Sequence, residues 1–340
     1  MNFKEYFEGK VILITGGTGF LGRSLVTRLL QYNPASIRIF SRDEVKHHKL
    51  KEDFNGDERL RYCIGNVRDQ ARLSKAMDGV DYVIHAAALK RLDLIEYNVE
   101  ESIKTNIMGS LNVVNACLEK GVKKAIFVST DKACSPVNTY GACKFVGERI
   151  FTESNFSKGH RETVFACVRY GNVLESTGSV IPLFRRKIEN QEVIPLTSPE
   201  MTRFIITPEQ AIELVFKAFL YSQGGEVFVP KLPAFKITDL IDVMIDASNQ
   251  KSEIETIGLR PGEKIHEQMI NSAEVPMTYD FKDMYVITSC IANYLDHMDQ
   301  GQYMREGKLI TTEEMKEYSS EHEIESPEDL GKLLRNLKII

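Results

Sequence analysis

Through the first two thirds of this 340-residue chain, short runs of apolar β-formers alternate with stretches whose apolar residues recur at helical spacing. Val11–Thr15, Ser36–Ser41, Leu60–Ile64, Tyr82–Ala86, Lys124–Ser129 and Thr163–Tyr170 predict strands. Residues 20–31, 70–77, 100–119 and 140–156 predict helices between them. Strands that are nearly all apolar are covered on both faces, so the alternation predicts an α/β fold with a doubly wound parallel sheet of Rossmann type. After Gly171 the pattern loosens. Segments 180–190, 208–222 and 237–247 read as helices. Gly224-Gly225-Glu226-Val227-Phe228-Val229-Pro230 reads as a turn into a strand that a proline closes. Beyond about residue 290 the chain is charged and weakly patterned, and is expected to wrap the surface with a short terminal helix at Pro327–Leu337. The division expected is therefore a sheet domain over 1–171, a smaller α/β substrate lobe over 172–285 that returns strands to the first domain, and a C-terminal surface extension over 286–340.

Composition narrows the class without changing this picture. Apolar residues make up 43% and charged residues 27%, the balance of a soluble globular protein. The net charge of −5, with no Lys/Arg cluster, argues against nucleic acid and anionic membranes as partners. No signal-peptide pattern opens the chain and no run approaches the ~20 apolar residues of a membrane span, so a cytoplasmic location is expected. Six scattered cysteines without a C-x-x-C pair suit free thiols in a reducing compartment. The seven histidines show no metal-binding spacing, and no metal is expected.

The first candidate chemistry follows strand one, at Thr15-Gly16-Gly17-Thr18-Gly19-Phe20-Leu21-Gly22. Gly16 permits a turn at positive φ, Gly19 leaves room for a pyrophosphate, and Gly22 lets the next helix approach the strand. The free N–H groups and dipole of that helix favour an anion. Strand two ends at Ser41-Arg42-Asp43, facing the adenosine ribose in a dinucleotide fold. Ser41 and Arg42 suit a 2′-phosphate, which favours NADP and leaves NAD as the alternative. At the end of strand three, Asn66 can bond an adenine amino group while Val67 covers the ring. Ala86, Ala87 and Ala88 after strand four give small walls, and His85 reads as a packed core residue.

Strand five ends in Ser129-Thr130-Asp131-Lys132, and Tyr140 and Lys144 follow four residues apart on one helix face. A nearby ammonium favours an ionised phenol, which can act as a base toward a sugar hydroxyl, with Thr130 positioning the same group. A reductase needs only this Thr-Tyr-Lys set. A dehydratase needs a further acid and base, and Asp131-Lys132 supplies one candidate for each.

These motifs together resemble the extended short-chain dehydrogenase/reductase superfamily over roughly residues 8–285, with a weaker echo near Glu317–Leu334. Ser129–Ala133, Asn138–Ala142, Arg169–Val173, Met201–Phe204 and Arg260–Lys264 are similar to the UDP-N-acetylglucosamine 4,6-dehydratases. Ala86–Lys90 and Lys104–Gly109 are similar to the soluble C5-inverting members of the pseudaminic acid pathway. The chain departs from that pattern in Asn66, where Asp is usual, and in the stretch Lys90-Arg91-Leu92-Asp93-Leu94.

The resemblance implies NADP-dependent dehydration of a UDP-sugar through a 4-keto intermediate. Tyr140 takes the 4-hydroxyl proton with Lys144 and Thr130 assisting, Asp131 is the acid and Lys132 the base. Both pKa values then have to move toward neutrality, so the Asp131 and Lys132 side chains are expected not to form a tight ion pair. Thr18, Phe20 and Asn106 join the glycine loop, Ser41, Arg42, Asn66, Val67 and the three alanines around the cofactor. Lys90, Asn172, Arg203, Arg260 and Glu263 are expected on the substrate, with Arg203 and Arg260 as bidentate phosphate partners. A homo-oligomer, a dimer or larger, is expected. Two other readings remain: a nucleotide-sugar 4-epimerase or 4-ketoreductase on the same fold, and a non-catalytic NADP-binding regulator.

Overall fold

The computed structural model describes residues 2–174, 180–291 and 301–340. Its centre is a parallel sheet of β1 (Val11–Thr15), β2 (Ser36–Ser41), β3 (Leu60–Ile64), β4 (Tyr82–His85), β5 (Lys124–Val128) and β6 (Val164–Val168). The spatial order is β3-β2-β1-β4-β5-β6, so connections run outward in opposite directions from between β1 and β4. That reversal opens a crevice at the C-terminal ends of the two strands, where ligands of such sheets bind. Helices on both faces bury the strands, and Ile12, Leu13, Ile14, Val83, Ile84, Ala125 and Ile126 have no solvent exposure.

Beyond β6 the sheet grows by strands from later in the chain. Val227–Pro230 lies parallel to β6. Met284–Ile287 then pairs antiparallel with it, Thr278–Phe281 closes a tight hairpin on that strand, and Lys308–Leu309 forms the edge. The second lobe is built around Asn172–Val173, Thr202–Ile206 and Ala234–Lys236. Its separate apolar cluster joins Ile181, Phe184 and Ile188 to Leu240 and Ile241.

Three features differ from the sequence expectation. Residues after 300 are not a surface wrap: Tyr303 and Tyr318 are buried in the main core, and Leu330 and Leu334 of the helix Pro327–Asn336 complete the second cluster. Their few apolar positions are hidden among charges in the sequence, yet they fall on one helix face. The helix Glu44–Asp53 lacks an apolar stripe and is set instead by Asp43, whose side chain caps it at Lys46 N. The expected helix over 100–119 contains a π-helical segment at Ile103–Met108 before Gly109–Lys120.

Arg169 staples the lobe to the sheet. It is 1% exposed and its guanidinium donates to both carboxylate oxygens of Glu148, both of Glu274, and the carbonyl of Met269, at 2.7–3.0 Å. The helix Thr139–Ser157, which carries Tyr140, is thereby tied to the segment entering the hairpin. Removing the cation strands two buried carboxylates. Arg169→Leu is expected to lower unfolding free energy by about 3–5 kcal/mol, read from a denaturant midpoint.

Candidate active site

The loop after β1 has the shape its glycines require. Gly16 sits at φ +70°, and a Cβ there would lie 2.8 Å from Ala87 N. A Cβ on Gly22 would lie 2.5 Å from Gly17 Cα, so helix and loop could not approach as they do. Gly19 caps the helix Phe20–Leu30 without a side chain. The N–H groups of Phe20, Leu21 and Gly22 therefore have no acceptor within the helix and remain available to an anion. Thr18 Oγ1 lies 2.7 Å from Ser41 Oγ, which joins the loop to the tip of β2. Arg42 beside it is exposed, with no partner for its guanidinium among the described residues. Ala86, Ala87 and Ala88 line the way out of β4, and Lys90 is exposed farther along the same loop.

Of three side chains expected near the cofactor, two are committed to protein and the third in part. Asn106 is 2% exposed; its oxygen accepts from Leu89 N at 2.8 Å and its amide donates to Leu89 O at 2.9 Å. It braces the loop after β4 rather than offering free polar atoms. Val67 is buried and packs where a Gly109 side chain would stand. Asn66 Oδ1 already accepts from Arg68 N, which leaves its amide nitrogen free. His85 is fully buried between Thr15 Oγ1 and Ser110 Oγ, and burial, followed by the charge of Lys144, holds its pKa down at about 3. It is a neutral core histidine, as its setting in the sequence suggests.

The end of β5 and the start of the next helix bring the proposed chemistry together. Asn138 caps the helix Thr139–Ser157 through Gly141 N at 2.7 Å, and Glu96 accepts from both Thr139 N and Thr139 Oγ1. A carboxylate there is favoured by the helix dipole and fixes the turn that bears Tyr140. Asp131 is wholly buried. Its Oδ1 accepts from Thr130 Oγ1 at 2.9 Å and from Lys132 Nζ at 3.0 Å, while its Oδ2 has no partner among the described residues. Lys132 Nζ also lies 3.4 Å from Asn172 Oδ1 and 3.3 Å from Glu267 Oε1.

One expectation fails here. Asp131 and Lys132 do form a close ion pair, because a carboxylate without solvent contact needs a counter-charge. Burial opposes the charge on Lys132, but Asp131 and Glu267 outweigh it and hold the lysine well above its ordinary value. A charge acting on Tyr140 is that of Lys132. Burial raises the phenol to about 12, Lys132 and Thr130 oppose that, and Asp131 adds to it. Lys144 donates to Val128 O at 2.6 Å and sits over the Phe127 ring, and burial lowers its pKa to about 8.

In the second lobe, Arg203 is not placed as a free phosphate clamp. Its guanidinium donates to the carbonyls of Thr202, Ile265 and Lys264 at 2.7–2.9 Å. Arg260 is exposed, with Glu263 Oε2 accepting from its backbone N–H. The loop they share is pinned beside the catalytic turn by Asn138 Nδ2 to Gly262 O and Lys264 Nζ to Cys134 O. Glu267 was missed by the sequence reading. The available signal was a single acid just ahead of the apolar pair Met269-Ile270.

Comparison with known proteins fits this architecture. The family described as polysaccharide biosynthesis protein matches residues 12–289. The chain belongs to the polysaccharide biosynthesis protein family. Among relatives in sequence, a UDP-N-acetylglucosamine 4,6-dehydratase (inverting) of Campylobacter jejuni strain 81-176 is 44% identical, over 94% of this chain and 97% of its own length. A UDP-glucose 4-epimerase of Rickettsia conorii is 40% identical over 83% of each. Among solved structures, Pen from Bacillus thuringiensis superposes with a TM-score of 0.90 at 39% identity, covering 98% of this chain and all of that one. No helix among the described residues is long and apolar enough to cross a membrane.

For this member of the family, the three carbonyls around Arg203 give a direct test. A lysine cannot match that fork. Arg203→Lys is expected to cost about 1–3 kcal/mol of stability, measured by thermal or denaturant unfolding.

Proposed function

We propose that this chain removes water across C5 and C6 of UDP-N-acetylglucosamine through a transient 4-keto sugar, using NADP and inverting C5, on the way to pseudaminic acid or a related glycan. The observation that carries the reading is the buried Asp131–Lys132 pair set beside Tyr140, since a simple reductase has no use for a second acid and base. The inverting dehydratase relative at 44% identity supports it. The rival 4-epimerase reading draws on the Rickettsia relative, and it needs every cofactor residue but not that pair.

The residues around the glycine loop fit a dinucleotide. A Cβ at Gly16 would fill the cradle, the N–H groups of Phe20, Leu21 and Gly22 would take the pyrophosphate, and Ser41 with Arg42 would take a 2′-phosphate. When bound, the nicotinamide supplies reversible hydride acceptance, from C4 at the start and to C6 at the end. The chain's own groups manage the protons. Tyr140 takes the 4-hydroxyl proton as a phenolate, the form that the charge of Lys132 and the hydroxyl of Thr130 favour against burial, with Lys144 assisting. The ketone makes H5 removable. One proton shift along the 3.0 Å contact turns the Lys132 ammonium and Asp131 carboxylate into an amine and an acid.

The amine then takes H5, and the acid gives its proton to the departing 6-hydroxyl, which leaves as water. The pair is back in its resting form, and C5 regains one proton, matching the one taken from the 4-hydroxyl. Arg260, Lys90, Asn172 and Glu263 are left to hold the UDP-sugar. A homo-oligomer is supported by the exposed apolar residues Leu94, Tyr97, Val99, Ile103, Met108 and Leu111 along one stretch of chain.

Incubation with UDP-N-acetylglucosamine is expected to yield a product one water lighter by mass spectrometry, and in D2O one deuteron at C5 by NMR. Lys132→Ala should slow water loss by about 10²–10⁴-fold, and C4 oxidation by much less. A product of unchanged mass, altered only at C4, would establish the epimerase instead. For the cofactor, Arg42→Ala should weaken NADP binding by about 1.5–3 kcal/mol and leave NAD binding unchanged in a fluorescence titration. Equal loss for both dinucleotides would remove the 2′-phosphate assignment.

A further inference from the structure

Glu267 lies outside every motif that suggested the reaction, yet its carboxylate reaches the centre of the site. It is 2% exposed, and its Oε1 lies 3.3 Å from Lys132 Nζ. Its Oε2 is buried with no partner, as is Asp131 Oδ2. Each orphaned acceptor costs about 1–3 kcal/mol, so the fold keeps this second carboxylate against a penalty.

Of the two cations near it, Arg203 is the more distant. The Arg203 Nη atoms already donate to three carbonyls, and its Nε is 3.8 Å from Glu267 Oε1, a longer contact than the one to Lys132. The position of Glu267 is not left to chance either. Its N–H donates to Ser320 Oγ at 2.9 Å, and Ser320 Oγ lies 2.7 Å from Thr202 Oγ1. The C-terminal segment thus holds the backbone that delivers the carboxylate. One partly buried ammonium therefore touches two buried carboxylates, with Arg203 standing farther off.

We propose that Glu267 is a positioning residue that holds Lys132 as an ammonium ion, so that the lysine becomes a base only through proton transfer to Asp131 within the assembled site. The inference rests on the dehydratase reading above. A solitary Asp131–Lys132 pair could sit as amine and acid before substrate arrives. Each added anion within about 4 Å favours the charged lysine and removes that resting state. The charged and titratable groups facing Lys132 are Asp131 on its own turn, Glu267 and Arg203 from the second lobe, and Tyr140 from the next helix. Of these, Asp131 and Glu267 favour the ammonium and Arg203 opposes it.

The test compares full-length wild type, Glu267→Gln and Glu267→Asp. Lys132 is followed by NMR of protein labelled with ¹³C at lysine Cε, its signal assigned by loss in Lys132→Arg. In Glu267→Gln the Lys132 titration midpoint should fall by about one pH unit or more, and the alkaline limb of the dehydration pH profile, where the ammonium loses its proton to solvent, should move down with it. Glu267→Asp, which keeps the charge at a greater distance, should move both in the same direction by less. If the glutamine variant does not fold, the aspartate variant decides by the same criterion.

An unmoved Lys132 titration in a folded variant overturns the proposal, even where rate or Tm falls, because those losses belong to a merely structural glutamate. The NMR readout does not need turnover. If wild type forms no product one water lighter while the titration still moves, the activity reading has failed and the Glu267–Lys132 coupling stands.

Discussion

A carboxylate shut away from water at the end of β5 sets the terms for everything around it. Asp131 has no exposed surface, and one of its oxygens has no partner. Burying such a group alone is prohibitive, so a cation must be adjacent, and the next residue in the chain supplies it. Lys132 is then itself partly buried, and Glu267 touches it from the second lobe. Arg203 follows beside Glu267, with the rest of its guanidinium tied to the loop carbonyls that deliver that glutamate. The two acids and two bases cancel in charge. The second lobe therefore completes the electrostatics of a turn that belongs to the sheet.

This coupling explains why so many contacts cross between the two parts. Asn138 caps the helix Thr139–Ser157 with its oxygen and holds Gly262 with its nitrogen. Lys264, in the same loop, anchors Cys134. Arg169 fastens the far side of that helix to Glu274. Each is a short, buried or half-buried polar contact, and such contacts fail steeply when geometry is lost. A site whose proton positions depend on distances near 3 Å needs that stiffness. The C-terminal segment takes part as well, through Ser320 and the helix that finishes the second core.

Much of this was legible in the chain. Periodicity located β1 to β6 to within a residue or two, because an apolar run between helical patterns has few alternative folds. The glycine loop was legible because positive φ at Gly16 and the closeness of Gly22 to Gly17 leave little choice of residue. What stayed hidden depended on contacts distant in sequence. Arg203 read as a phosphate clamp because a lone arginine in a motif does not reveal that three carbonyls surround it. Helical spacing places Lys144 on one face with Tyr140, but it does not reveal that the ammonium also donates to Val128 O. The buried C-terminal helix was masked by its charges, and Glu267 by its distance of more than a hundred residues from its partner.

The same electrostatics bear on the choice between dehydration and epimerisation. Both reactions in this fold begin with a ketone at C4, and once it forms, H5 is acidic. An enzyme that only returns hydride to C4 must keep bases away from that proton, or it loses substrate to elimination. A buried lysine paired with an acid beside the tyrosine is a hazard for such an enzyme and a requirement for one that expels water. The cost of holding Asp131 Oδ2 and Glu267 Oε2 without partners points the same way. Two orphaned acceptors around one ammonium are hard to justify as scaffold, and they are readily understood as sites where protons must come and go.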